Sequence, residues 1–74
     1  MKITLKLFAT FRDNRFKVAE REYADNATIG TILEELGISE PELGVALING
    51  RHVVPTDALV DGATVSLFPK VGGG

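Results

Sequence analysis

Few residues in this sequence have the types and spacing for chemistry. There is no cysteine, a single histidine (His52), and four glutamates, Glu34, Glu35, Glu40 and Glu42, gathered in one segment. Thiol nucleophiles and thiol redox motifs are therefore excluded, and one histidine does not make a zinc site. No nucleophile-base pair stands out. Paired carboxylates can perform general acid-base work, but these four are more simply the solvated side of a helix and the loop after it. His52 follows an Asn-Gly turn and reads as a solvent-exposed strand residue. What remains is the last stretch, FPKVGGG, in which an apolar, strand-like run passes into three glycines. Glycine loses more conformational freedom on folding than any other residue and packs no side chain. Such a run adds little to a domain, so it is either a frayed terminus or a segment used by something outside the domain.

The elements that would hold this tail are legible from periodicity. Residues 2–8, KITLKLF, alternate with period two, placing Ile3, Leu5 and Leu7 on one face and Lys2, Thr4, Lys6 and Phe8 on the other. Phe8 is the odd member of the polar face. RDN predicts a turn, and RFKVAEREY a second strand with Phe16 and Val18 inward, its Lys17 and Arg21 suited to a sheet edge. In DNATIGTILEELG the period changes: Ile29, Ile32, Leu33 and Leu36 form one helical stripe. Asn26 or Thr28 can cap its start and Gly37 its end, and Gly30 in its first turns reads as a place where the helix packs closely on something. VALINGRHVV carries Asn49-Gly50, a two-residue type I′ turn between apolar runs. LVDGATVSLF predicts a turn at Asp61-Gly62 and a last strand with Val65 and Leu67 inward. Asp57 and Asp61 read as turn formers.

Strand, strand, helix, short strand, short strand, strand is the plan of an α+β β-grasp, or ubiquitin-like, fold, with a mixed sheet of four to five strands and one main helix across it. The expected organisation is a domain over residues 1–68 and a Gly-rich tail over 69–74. At 74 residues such a domain buries only about 60% of its unfolded surface, which leaves little room for an enclosed active site. The formal charge of −2 provides no broad basic face for nucleic acid. Lys2, Lys6, Arg12 and Arg15 interrupt every apolar run near the start, so no signal or membrane-spanning segment is predicted there. A cytoplasmic location is the expectation.

The segments KLFATFRD, LINGRHV and LVDGATVSLFPKVGGG, with the spacing between them, resemble the MoaD/ThiS family of sulfur carriers, which includes the small subunit of molybdopterin synthase and the thiazole-biosynthesis carrier. The likeness spans essentially the whole chain, and its most specific part is the ending Phe-Pro-x-Val-x-Gly-Gly. A carboxylate with a pKa of about 3.3–3.7 is ionised at neutral pH and is a poor electrophile, so it must be activated. The resemblance implies that Gly74 is adenylated by an ATP-using partner of the ubiquitin-activating type. A sulfurtransferase or cysteine desulfurase then supplies sulfur to make a thiocarboxylate. The carrier itself has no catalytic residues and binds no cofactor or metal. Gly73, Gly72, Val71 and Lys70 would thread the partner's channel, with less weight on Gly72, where relatives tolerate several small residues. Extended at about 3.3–3.6 Å each, residues 69–74 span roughly 20 Å. Pro69 fixes φ, ends strand pairing and stiffens the base of the tail. Lys70 departs from the second proline of the FPPV found in many molybdopterin-type members.

The resemblance also suggests a docking surface. Phe8 and Phe68 point away from the face of Leu5 and Leu67, and in a β-grasp the first and last strands are neighbours. The two rings are therefore expected to form one aromatic patch at the root of the tail, unless loops cover them. Pro69 and His52 complete the candidate docking set. The receiving partner is the molybdopterin synthase large subunit or a thiazole synthase, with the molybdopterin branch favoured by KLFATFR and SLFP. Ubiquitin-like attachment to lysines needs the same activated carboxylate and stays open, as does a plain β-grasp interaction module.

Overall fold

The computed structural model describes residues 1–71. Five strands, β1 (Lys2–Leu7), β2 (Val18–Glu22), β3 (Leu43–Ile48), β4 (Arg51–Val53) and β5 (Thr64–Pro69), form one sheet in the order β2-β1-β5-β3-β4. The central pair β1 and β5 is parallel and all other pairings are antiparallel. A single α-helix, α1 (Ile29–Leu36), contributes Ile29, Ile32 and Leu33 to a core shared with Ile3, Leu5, Leu7, Val65 and Leu67 of the sheet. This is the β-grasp arrangement expected from the order of elements.

Local chemistry accounts for the boundaries. Thr28 and Thr31 form a reciprocal capping box at the start of α1: Thr31 N–H donates to Thr28 Oγ1 at 3.3 Å, and Thr28 N–H to Thr31 Oγ1 at 3.1 Å. Gly37, at φ 72°, ends the helix in the left-handed conformation. The helix packs closely at Gly30, as expected, against the loop after β4: Gly30 N–H donates to Pro55 O at 2.8 Å. Asn49 and Gly50 both have positive φ, as a type I′ turn requires. Asn49 also accepts Thr64 N–H on its side-chain oxygen at 2.9 Å, tying this hairpin to β5. Asp57 accepts from Val54 N–H and Asp61 from Lys2 N–H, so both carboxylates organise loops.

Two expectations change. Val18 does not face inward: it pairs with Lys6 and is 51% exposed, while Ala19 lies opposite the buried Leu5. β2 begins only at Val18, so the alternation in RFKVAEREY does not run through Phe16 as one strand, and a one-residue difference in register exchanges the faces. Phe16 packs at the margin of the core, with the Arg21 guanidinium 4.8 Å from its ring centre. The connection after β1 is also more than a turn at RDN. Ala9–Arg12 forms a 3-10 turn that buries Phe11, and Arg12 Nε donates back to Leu7 O at 2.8 Å.

Edge strand β2 is fastened to α1 through polar groups. Tyr23 Oη donates to Glu35 Oε1 at 2.8 Å, and Arg21 pairs with the same carboxylate. Burial, reinforced by the Glu35 hydrogen bond, pushes the Tyr23 phenol up to about 12. The folded state therefore favours the protonated phenol more than the unfolded chain does. The stability this contributes is whole below about pH 10, the ordinary tyrosine value, and is lost as pH climbs towards 12. Urea unfolding between pH 9 and 12 is expected to show a steeper alkaline loss in the wild type than in Tyr23→Phe; equal slopes would contradict this role.

Candidate functional site: the helix-free sheet face and the root of the tail

The strands carry their second set of side chains on the sheet face opposite α1. Across that face Val18, Lys6, Ser66, Leu47 and His52 fall in one row from β2 to β4. Phe68 follows on β5 with Val45 beside it on β3. Phe8, the first residue after β1, donates its N–H to Leu67 O at 3.2 Å, which brings its ring alongside that of Phe68. The rings stack at 4.2 Å between centres and 13° between planes. Both are half-buried, and the Arg12 guanidinium stands 5.3 Å from the Phe8 ring centre. The two aromatics predicted to meet at the root of the tail do so, partly covered by each other and by Arg12.

Next to them runs an open groove of about 500 Å³ lined by Ala9, Thr10, Val45, Phe68, Pro69, Lys70 and Val71. Ala9, a non-glycine residue at φ 51°, begins the turn that forms one wall. Pro69 is the last residue of β5 and lies opposite Leu43. Pro69 does not end strand pairing as expected: it lacks an N–H of its own, but the chain stays extended beside β3 and Lys70 N–H donates to Glu42 O at 3.1 Å. Val71 is 92% exposed. Gly72, Gly73 and Gly74 lie outside the described residues. His52 is exposed on β4, on the same sheet face as Phe68 and across β3 from it.

Two of the four glutamates have structural partners, and Glu34 and Glu40 are exposed. Glu35 holds Tyr23 and Arg21, and Glu42 accepts from both the N–H and Oγ of Ser39 at 2.7 Å each. The Ser39 amide and hydroxyl hold the Glu42 carboxyl below its ordinary value. Among the described residues no group of acidic, histidine or cysteine side chains is arranged to hold a metal ion. No helix among them is long and apolar enough to cross a membrane.

Sequence reasoning passed over Gly44. It stands where the β3–β5 pairing slips by one residue, directly against the backbone of Pro69 and Lys70. The only signal in the chain was a glycine inside the apolar run LGVALI, a position that often marks a bulge or a close backbone approach.

A mixed sheet with parallel central strands, one helix across one face, and a last strand leading into a glycine-rich segment define a ubiquitin-like β-grasp protein. The description "ThiS family" belongs to the family model that matches residues 5–74. The chain belongs to the ThiS family, within the ubiquitin-like sulfur carriers and modifiers, as its motifs suggested. It is 36% identical to small archaeal modifier protein 3 of Haloferax volcanii, with all of both chains covered. Its structure is similar to that of a protein assigned as molybdopterin converting factor subunit 1 from Pyrococcus furiosus, at 26% identity and a TM-score of 0.77, covering 96% of this chain and 99% of that one. It also shares its fold with small archaeal modifier protein 1 of Haloferax volcanii, at 22% identity and a TM-score of 0.75, covering 95% and 98% of the two chains.

Proposed function

We propose that this chain is a sulfur carrier that delivers the Gly74 carboxylate into partner active sites, with molybdopterin synthesis as the recipient pathway. An activating enzyme of the ubiquitin-activating type joins the Gly74 carboxylate to the α-phosphate of ATP and releases pyrophosphate. A persulfide on a sulfurtransferase or cysteine desulfurase then displaces AMP to form an acyl disulfide, and a thiol of the partner cleaves its S–S bond, leaving a thiocarboxylate on Gly74 and a disulfide on the partner. In the receiving subunit, a molybdopterin synthase large subunit in this reading, the thiocarboxylate sulfur bonds to the acceptor substrate, and water then cleaves the acyl–sulfur bond, leaving the sulfur on the substrate and the carboxylate on Gly74 for the next cycle. The observation that carries the proposal is the stacked Phe8–Phe68 pair beside an apolar groove, at the point where β5 hands over to the Gly-rich tail. Half-buried aromatics at that place supply an apolar docking surface, and the four residues that follow Lys70 supply a reach of about 13–14 Å when extended. The likeness to the Pyrococcus protein favours the molybdopterin branch over thiazole synthesis.

Attachment of Gly74 to lysines of other proteins is a second reading, favoured by the 36% identity to a small archaeal modifier protein. The two differ only in the nucleophile that meets the adenylate, sulfur or amine. Intact-protein mass spectrometry of the untagged chain from its own cells separates them. Exchange of one oxygen for sulfur, localised to Gly74 and distinguished from Met1 oxidation, is the expected result. Isopeptide linkage without any thiocarboxylate would establish the modifier instead. An unaltered Gly74, even with ATP, activating enzyme and sulfur donor supplied, would defeat both.

A further inference from the structure

Three of the chain's glycines, Gly37, Gly50 and Gly62, have positive φ and open space where a Cβ would stand. Gly44 is of the opposite kind. It is not among the positive-φ residues, and it is solvent-exposed, so neither backbone conformation nor core packing calls for glycine there. A Cβ on Gly44 would instead lie 2.7 Å from Pro69 O, 2.9 Å from Pro69 C and 3.0 Å from Lys70 Cα. All three are backbone atoms, which cannot swing aside as the tip of a side chain can.

The pairing register explains why the approach is so close. From Ile48↔Val65 to Val45↔Phe68 the strands run in step, and then Leu43, not Gly44, lies opposite Pro69. Gly44 is the extra residue of a β-bulge, a device that bends a strand and re-aims the residues beyond it. The slip turns Leu43 from the face of Val45 and Leu47 towards the core, against which it packs. It also carries the pairing on in the new register, so that Glu42 O receives Lys70 N–H.

We propose that Gly44 is a positioning residue for acyl activation: its missing side chain lets the end of β5 cross at the bulge and sets the direction in which Lys70 and Val71 leave the sheet. The functional half of this statement rests on the carrier reading above. Any side chain at position 44 would displace Pro69 and Lys70, which line one part of the docking groove, and re-aim the reacting terminus, while leaving the Phe8–Phe68 stack ahead of the bulge in place.

The test is Gly44→Ala, followed in two ways. By NMR, the wild type should show a cross-strand Hα–Hα contact between Gly44 and Lys70, with a Lys70 amide slowed towards solvent exchange; the variant should lose both while the β1–β5 amides keep theirs. In ATP–pyrophosphate exchange with the activating enzyme, kcat should fall about tenfold or more, as expected for a misplaced reacting group, with a smaller rise in KM for the carrier because Pro69 and Lys70 also line the docking groove. A folded variant with an unmoved Lys70 or an unchanged kcat would overturn the proposal. If the single variant fails to fold, Gly44→Ala with Pro69→Gly, which frees the strand end to retreat from the new methyl, should restore folding with a kcat still below that of Pro69→Gly alone; equal values would overturn it. Should the wild type support no exchange at all, the carrier reading fails, and the Lys70 measurements alone decide whether Gly44 sets the strand end.

Discussion

Removal of Gly73 and Gly74 is expected to abolish thiocarboxylate formation and leave the thermal unfolding midpoint unchanged. Among the described residues the core is assembled by residues up to Leu67, and the last backbone bond beyond β5 runs from Lys70 to Glu42. Two residues without side chains, beyond that bond, have no apolar surface to contribute to stability. Their loss moves the terminal carboxylate back by about 7 Å. Misplacing a reacting group by about 1 Å can already cost a hundredfold, so a set-back of this size should leave no measurable adenylation. Mass spectrometry after incubation with ATP, activating enzyme and sulfur donor reads the first effect, and thermal melting reads the second. A truncated chain that still serves its partners would identify a β-grasp interaction module whose tail carries no chemistry.

Adjacent residues of β5 should respond in opposite ways to the same change. Leu67 is fully buried between α1 and the sheet, whereas Phe68 is half-buried on the other face against Phe8. Leu67→Asp removes a core side chain, at about 2–5 kcal/mol, and places an ionisable group where it has no partner. A chain of 74 residues has a stability of about 4–11 kcal/mol at the usual value per residue, so this variant should be largely unfolded by circular dichroism. Phe68→Asp loses one stacking partner and part of an apolar contact, about 2 kcal/mol, and should remain folded. Its expected effect is on encounter: KM for the carrier in pyrophosphate exchange should rise steeply, because a charge would enter an apolar docking contact. A folded Phe68→Asp variant with unaltered KM would remove the aromatic pair from the docking surface.

The sequence by itself determined the elements and most of their ends. Period two in KITLKLF, the helical stripe Ile29–Ile32–Leu33, Asn49-Gly50 and the Thr28 and Gly37 caps each report a local constraint, because turn geometry, capping and amphipathic spacing act within a few residues. The parity of Phe8 and Phe68 was equally local, and it placed both rings off the core face before any pairing was known. Only the tertiary structure decided what depends on how strands meet. The inward face of β2 went to Ala19, since its register against β1 sets which residues alternate inward and a break at Phe16 is invisible to a periodic count. The burial of Phe11 came from the chain folding into a 3-10 turn. Gly44 became legible only when β3 and β5 lay side by side: 25 positions separate it from Pro69 in the sequence, and the 2.7 Å approach exists only once long-range pairing has brought their backbones together.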